Sequence, residues 1–317
     1  MSQLPTYVID GNLYDGLGAV QLSDVVMHNF CVPADSAKLQ AWLDRTFAQP
    51  SGGAVAYRVL GDRVFLSFAE IGRLALIGPG NEARGYTSEI DVTIWILAQR
   101  EGLGLGGIRW IPAYLFVDSG PALVSGREVW GFPKQLGRFD FQPPRPAPGC
   151  GPRTFTMDGW VVSPYGADSP ARWATMFEAR PAAPATPSGV FGSLELLADK
   201  AVERLTGDLV GVAGRAREAL GQGGMTMAFL KQFPDAADPF RACYQAVVEA
   251  AATINNLRGT GLTDDHYEVR ITSFATHPYL HELGVAEGWQ AVGQGIWVDF
   301  DFIQALGKPV WTASTAP

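Results

Sequence analysis

Short apolar segments separated by glycine- and proline-rich turns run through most of this chain, and this spacing constrains the fold more than any other feature. Apolar runs of about 4–8 residues bounded by such turns are typical of β-strands. With little helix between them, the pattern indicates an antiparallel sheet closed into a barrel or a sandwich. The predicted strands are 6–10, 20–32, 55–60, 63–69, 74–77, 90–98, 108–117, 122–124, 139–141, 154–162, 225–232, 246–253, 267–275 and 296–302.

Two helices are predicted beside these strands. Asp35 or Ser36 can cap a helix that runs to about Ala48. Ser193 can cap a longer helix that runs to about Leu220, with leucines along one stripe. No internal boundary is apparent within 1–317, so we expect a single domain with a helical insertion near 190–220.

Charge and cysteine content exclude several kinds of partner. The net charge is −8 and no block of five like charges occurs, so neither nucleic acid nor an anionic membrane is an expected partner. The three cysteines lie far apart without metal-binding or disulfide spacing, which fits a reducing cytoplasm. We expect no signal peptide and no membrane span, because neither an amino-terminal targeting pattern nor an 18-residue apolar window is present.

Two further motifs carry weaker signals. Gly102–Gly107 matches a dinucleotide-binding pattern, but it leads into a strand-like segment rather than a helix, so a glycine-rich loop is the interpretation. His277 and His281 stand four residues apart, a spacing that can bind zinc on a helix. Pro278 between them weakens a helix and no third ligand is apparent, so no metal and no cofactor is predicted.

Lys134 is the strongest candidate for a catalytic residue. It is one of five lysines, and it lies between Phe132-Pro133 and Leu136. Such a lysine either keeps its charged head in water or is an amine held out of water for chemistry. A neutral amine can attack a ketone to give an iminium, which withdraws electrons from the adjacent carbon–carbon bond. Function near pH 7 would need a pKa about three units below the reference value of about 10.4, which desolvation can supply.

Lys231 is the competing lysine. Its neighbours Phe229, Leu230 and Phe233 are also apolar, but strand alternation could leave its amine in solvent. The residues alone therefore leave both lysines, and a purely structural role for each, open.

The segment Gly126-Arg127-Glu128 followed by Phe132-Pro133-Lys134-x-Leu136 resembles the acetoacetate decarboxylase family. The resemblance implies that Lys134 is the Schiff-base lysine and that Glu89, within Gly85–Glu89, is an active-site glutamate. It also implies a mostly β, α+β fold that forms a closed antiparallel barrel or cone with peripheral helices, in a homo-oligomer. The substrate-binding residues that it implies or that we expect beside Lys134 are Glu70, Tyr86, Phe116, Phe132 and Gln135.

Two departures from the family pattern bear on the reaction. The decarboxylase has a second lysine directly after the nucleophile, where this chain has Gln135, and an early arginine near the substrate carboxylate, whereas the first arginine here is Arg45. Both departures fit relatives that use the same lysine for aldol-type chemistry on pyruvate.

Three functions therefore remain open for a small keto-acid ligand. The first is a cofactor-independent carbon–carbon lyase that decarboxylates a 3-oxo acid through an iminium at Lys134. The second is an aldolase-dehydratase that condenses a pyruvate enamine with an aldehyde. The third is a non-catalytic barrel in which a cationic Lys134 binds an acid as a salt bridge.

Overall fold

The computed structural model describes residues 6–8, 18–79, 81, 84–144, 152–161, 171–182 and 224–313. Within these residues the chain is mainly β. The helix predicted for 193–220 lies outside the described residues, and so does Cys150. No helix in the described part is long and apolar enough to cross a membrane.

Twelve strands form one sheet in the described residues. They are β1 (Val20–Pro33), β2 (Tyr57–Val59), β3 (Arg63–Leu76), β4 (Tyr86–Arg100), β5 (Ile108–Val117), β6 (Lys134–Gln142), β7 (Thr154–Val161), β8 (Arg172–Pro181), β9 (Gly224–Pro234), β10 (Ala242–Ile271), β11 (Trp289–Gln304) and β12 (Lys308–Thr312). The helices are α1 (Ser36–Leu43), α2 (Gly120–Ser125) and α3 (Tyr279–Glu282), and π-helical turns cover Asp44–Ala48 and Gly126–Trp130.

The strand order closes on itself. The order is β2-β4-β3-β1-β11-β10-β8-β7-β6-β5-β9, and β4 pairs in addition with β5, so the strands from β4 to β5 form a ring. Strand β9 pairs with β10 and meets β5 at Trp110 and Met227. All pairings are antiparallel except β5–β6 and β5–β9. The predicted mostly β class with an antiparallel, closed arrangement is confirmed.

Two apolar cores lie on opposite faces of the β1–β3–β4 region. Successive strand residues point to opposite faces, so Phe68 of β3 enters the first core and Ile71 enters the second. The first core includes Phe30, Ile94, Phe155, Phe177 and Tyr267. The second core includes Val25, Trp130, Phe229, Val248 and Phe300.

The prediction of a strand at 122–124 is wrong, because Gly120–Ser125 forms α2. The Ser119 hydroxyl accepts a hydrogen bond from the Ala122 amide, and Pro121 stands in the first turn, which are both features of a helix start. Three apolar residues are too few to reveal a period of two.

Several other boundaries differ from the predicted ones. Of the predicted segment 74–77, residues 74–76 are the end of β3. The predicted segments 246–253 and 267–275 belong largely to the single long strand β10. The sequence pattern does not predict β8 or β12. The predicted cap at Asp35 is confirmed, since its Oδ1 accepts from the amides of Ala37 and Lys38 at 2.8 and 3.1 Å.

Candidate functional site

A tight turn delivers Lys134 to the start of β6. The π-helical turn Gly126–Trp130 ends at Gly131, which has a left-handed φ of 96°. The amides of Gly131 and Phe132 both donate to the Gly126 carbonyl, at 3.0 and 3.1 Å. A Cβ on Gly131 would lie 2.7 Å from the Lys231 Cα, so both the backbone angle and the packing require glycine there.

The Lys134 amine meets Glu89 inside the protein. Lys134 Nζ donates to Glu89 Oε1 at 2.6 Å, and the two side chains are only 11% and 2% exposed. Strand β5 lies between them, since Leu115 pairs with Lys134 on one side and with Thr93 of β4 on the other. Away from water, an ammonium and a carboxylate at this distance interact far more strongly than at the surface. The predicted nucleophile and the predicted glutamate are thus brought into direct contact.

Gly126 makes room for the Lys134 side chain. A Cβ on Gly126 would lie 2.6 Å from the Lys134 Cδ and 2.9 Å from its Cε, closer than real side chains pack. The atoms that would be displaced are the far part of a flexible side chain, so the backbone need not move. Gly126 is therefore needed for the position of the Lys134 amine and not for the stability of the fold.

Replacing Gly126 with alanine should displace the Lys134 amine from Glu89 and leave the fold intact. We expect a loss of roughly 100-fold in the turnover of the keto acid that the sequence resemblance implies, the effect typical of a 1 Å misplacement of a reacting group. The melting temperature should change little. Steady-state kinetics and thermal denaturation of the same preparation would check both expectations, and an equal loss of activity and stability would contradict them.

Aromatic side chains lie beside the Lys134 amine. Lys134 Nζ lies 5.6 Å from the centroid of the Phe132 ring, which in turn packs 4.2 Å from the ring of Phe229. Trp130 is buried beside them and donates from Nε1 to the Ala305 carbonyl at 2.7 Å. Phe132 is thus where it was expected, at the apolar wall of the lysine.

A second carboxyl group, that of Asp91, lies on the same face of β4 as Glu89. Alternation along β4 places Glu89, Asp91 and Thr93 on one face, and Thr93 Oγ1 donates to Asp91 Oδ1 at 3.3 Å. Burial raises the pKa of Asp91 to about 7, and the negative charge of Glu89 adds to the rise. The positive charge of Lys134 acts in the opposite direction. The period of two in Glu89-Ile90-Asp91-Val92-Thr93 is the signal by which the sequence could have revealed Asp91.

Gln135 points away from the Lys134 amine. As the next residue of β6, it faces the first core, where its Oε1 lies 2.8 Å from His277 Nε2. Because Oε1 can only accept, His277 carries its proton on Nε2 in this arrangement, and burial lowers the pKa of His277. Phe116 packs on the same side, 5.6 Å from the His277 ring. The structure therefore brings Gln135 and Phe116 together, but not to Lys134.

Glu70 also faces the first core. It pairs across the sheet with Ile90, whereas Glu89 pairs with Ile71, so the two glutamates lie on opposite faces of β3 and β4. Glu70 Oε2 accepts from Arg153 Nη1 at 2.6 Å, and the Arg153 side chain is only 1% exposed. Arg153 also donates to the Pro143 carbonyl at 2.9 Å. Burial lowers the pKa of His28 to about 4, and the positive charge of Arg153 contributes to the same effect.

Replacing Glu70 with glutamine should destabilise the protein without slowing its reaction. The change leaves the Arg153 charge buried without its partner, which should lower the free energy of unfolding by about 3 kcal/mol. Because Glu70 lies on the face opposite Lys134, kcat/KM should stay within about twofold of wild type, the range of an indirect effect. Urea denaturation and kinetics would measure the two quantities. A large loss of kcat/KM at unchanged stability would instead support the substrate-binding role that the sequence resemblance implies for Glu70.

Tyr86 and Lys231 stand apart from the Lys134–Glu89 pair. Tyr86 is 59% exposed, and its ring lies under the Arg73 guanidinium at 4.6 Å. Lys231 Nζ donates to the Val129 carbonyl at 3.1 Å and is only half-buried, although burial lowers its pKa. Of the two apolar-flanked lysines, Lys134 is the one paired with a buried carboxylate.

The two weaker motifs have structural roles in the described residues. Gly104–Gly107 forms a 3-10 turn between β4 and β5, in agreement with the interpretation as a loop. His277 is occupied by Gln135 and by Thr276 Oγ1 at 2.9 Å. Across the described ranges, no group of three histidine, cysteine or acidic side chains is arranged to hold a metal ion.

The chain resembles solved structures, whereas no protein-family model and no curated protein sequence matches it. One similar structure is an acetoacetate decarboxylase with a TM-score of 0.55, 13% identity and coverage of 94% of this chain and 91% of the other. The acetoacetate decarboxylase of Legionella pneumophila gives 0.56 and 12%, with coverage of 98% and 99%. An acetoacetate decarboxylase-like enzyme from Sphingomonas wittichii RW1 gives 0.54 and 14%, with 93% of each chain covered. At such low identity these likenesses establish the fold.

Proposed function

We propose that this chain, which has the acetoacetate decarboxylase fold, is a carbon–carbon lyase that decarboxylates a 3-oxo acid through an iminium at Lys134. The observation that carries the proposal is the buried contact of 2.6 Å between Lys134 Nζ and Glu89 Oε1 beside the Phe132 ring. It supplies an amine, an acceptor for the amine's proton and an apolar surrounding in one place.

The reaction begins with proton transfer from the Lys134 ammonium to Glu89. The neutral amine then attacks the ketone carbon to give a carbinolamine, and the proton held by Glu89 leaves with the hydroxyl group as water. The product is an iminium on Nζ. The carbon–carbon bond to the carboxylate breaks, carbon dioxide departs, and the electron pair forms an enamine. Protonation of the enamine carbon and hydrolysis of the resulting iminium release the ketone and restore the Lys134 ammonium.

The surroundings of Lys134 suit this sequence of steps. The iminium is itself the electron sink, so the proposed reaction uses no cofactor. The Phe132 and Phe229 rings limit water near the amine, which strengthens electrostatic interactions there. Glu89 carries a negative charge whenever the iminium is present, so it stabilises the cation and repels the substrate carboxylate that is about to leave as carbon dioxide.

Product analysis with acetoacetate tests the proposed reaction. We expect carbon dioxide and acetone in equal amounts from the purified chain, with Glu70→Gln as a folded control that keeps the activity. A parallel incubation with pyruvate and an aldehyde would give a condensed, dehydrated product if the lysine performs aldol chemistry instead. Condensation without carbon dioxide release from any of a panel of 3-oxo acids would overturn the decarboxylase assignment. Acid binding without either product would support the non-catalytic alternative.

A further inference from the structure

We propose that Asp91 is the proton donor to the enamine carbon, so that the site uses two carboxyl groups with separate roles. This inference rests on the proposed function. Its chemical basis is a proton count. The proton taken from Lys134 by Glu89 is consumed when water leaves the carbinolamine, so a second acid must supply the hydrogen that replaces carbon dioxide on the substrate.

The position of Asp91 follows from strand geometry. On β4 it lies between Glu89 and Thr93 on the face that carries the Lys134 contact. Its direct neighbours across the sheet on that face are Ala69 of β3 and Val117 of β5, which are both apolar. Asp91 lies deep in the protein but, unlike Glu89, it retains part of its accessible surface. Asp91 is therefore the carboxyl group next to Glu89 on the face of β4 that meets Nζ, and the charge of Lys134 acts on it.

The charged groups around Asp91 favour different protonation states for Glu89 and Asp91. The charged groups that act on it are Glu89 on its own strand, Lys134 on β6 and Asp118 after β5, and the Thr93 hydroxyl donates to it. Two ionised carboxylates beside one ammonium would leave a net negative charge in the interior. Glu89 is the carboxylate bonded to the amine, so Asp91 is the one that keeps its proton. Pairs of acids whose environments separate their pKa values are the usual basis for such a division of roles.

The donor step balances without any further reactant. The enamine carbon takes the proton of Asp91 and becomes the methyl or methylene carbon of the product iminium, and Asp91 becomes a carboxylate. Water then hydrolyses the iminium to the ketone and the Lys134 ammonium, which pairs again with Glu89. A proton from solvent restores Asp91, which accounts for the one proton that decarboxylation of a 3-oxo carboxylate consumes.

Deuterium exchange into acetone isolates this step. In D2O the wild-type protein should form the acetone iminium at Lys134, interconvert it with the enamine and exchange the methyl hydrogens for deuterium. In Asp91→Asn we expect exchange to fall by at least about 100-fold, the lower range for loss of a general acid. Borohydride should still trap the acetone iminium in Asp91→Asn to the wild-type extent. Glu70→Gln serves as the matched control, with exchange at the wild-type rate.

The outcomes separate this inference from the function on which it rests. Exchange at the wild-type rate in Asp91→Asn, or loss of trapping together with exchange, would overturn the donor role of Asp91. Absence of trapping in the wild-type protein would overturn the proposed function itself, and this inference with it.

The wild-type protein provides a second test that does not depend on a variant. The exchange rate divided by the trapped fraction should rise as the pH rises through about 7 and then level off, because the carboxylate form of Asp91 is the one that removes the methyl proton of the iminium. A flat ratio from pH 6 to about 9 would overturn the role of Asp91.

Discussion

Replacing Lys134 with alanine is expected to lower keto-acid turnover by on the order of 10⁴-fold or more, because the amine is the site of covalent attachment and the electron sink. The change removes Nζ from its contact with Glu89 at 2.6 Å and leaves a carboxyl group that is 2% exposed without its partner. Some loss of stability should follow, of roughly 3 kcal/mol, as expected when one member of a buried ion pair is removed. Kinetics at a temperature well below the melting transition would separate the two effects.

Lys231→Ala is the matched control for this experiment. Lys231 has a similar apolar setting, with its amine near the rings of Phe233 and Tyr244, but its hydrogen bond goes to the Val129 carbonyl. We expect the turnover of Lys231→Ala to remain within about twofold of wild type, the range of an indirect effect. If Lys134→Ala kept its activity while Lys231→Ala lost it, the catalytic lysine would be the other one.

Glu89→Gln is expected to lower kcat by about 10²- to 10⁴-fold, the contribution typical of a general acid–base group. An amide of the same shape can still accept a hydrogen bond from Nζ, but it cannot take the proton that the ammonium must lose. The formation of the iminium should be the slowed step. Rapid-quench trapping with borohydride would measure it directly as the rate at which adduct accumulates.

The control for Glu89→Gln is Glu70→Gln, the same substitution on the opposite face of the β3–β4 pair. Both glutamates accept from a cation at 2.6 Å, so the two variants differ in site rather than in chemistry. Adduct formation at the wild-type rate in Glu89→Gln would show that another group deprotonates Lys134.

Much of the fold can be predicted from local sequence, and the choice of Lys134 as the candidate lysine follows once the family resemblance is added. Strand β5 has the predicted bounds 108–117, because its apolar run lies between a glycine-rich turn and Asp118-Ser119-Gly120. The assignment of Lys134 depends on its unusual flanks and on the family resemblance. Its contact with Glu89, which lies 45 residues away in the chain, agrees with what that resemblance implies.

The remaining features depend on pairing between distant strands. Alternation along a strand predicts which of its residues share a face. The register between neighbouring strands decides which residues of the other strands that face contacts. Glu70 and Glu89 could not be assigned to opposite faces before the pairing of β3 with β4 was known. Likewise, the side chain of Gln135 points to the opposite face of β6 from the Lys134 amine, where it contacts His277. Its lack of charge therefore has little direct bearing on the amine.

The most direct test of iminium formation at Lys134 is the identity of the residue that carries a borohydride-reduced adduct. The protein would be incubated with acetoacetate, reduced, digested and mapped by mass spectrometry. The proposed mechanism predicts an N-isopropyl group on Lys134, the product of decarboxylation followed by reduction of the acetone iminium. An adduct on Lys231 alone, or no adduct with acetoacetate, acetone or pyruvate, would contradict this mechanism.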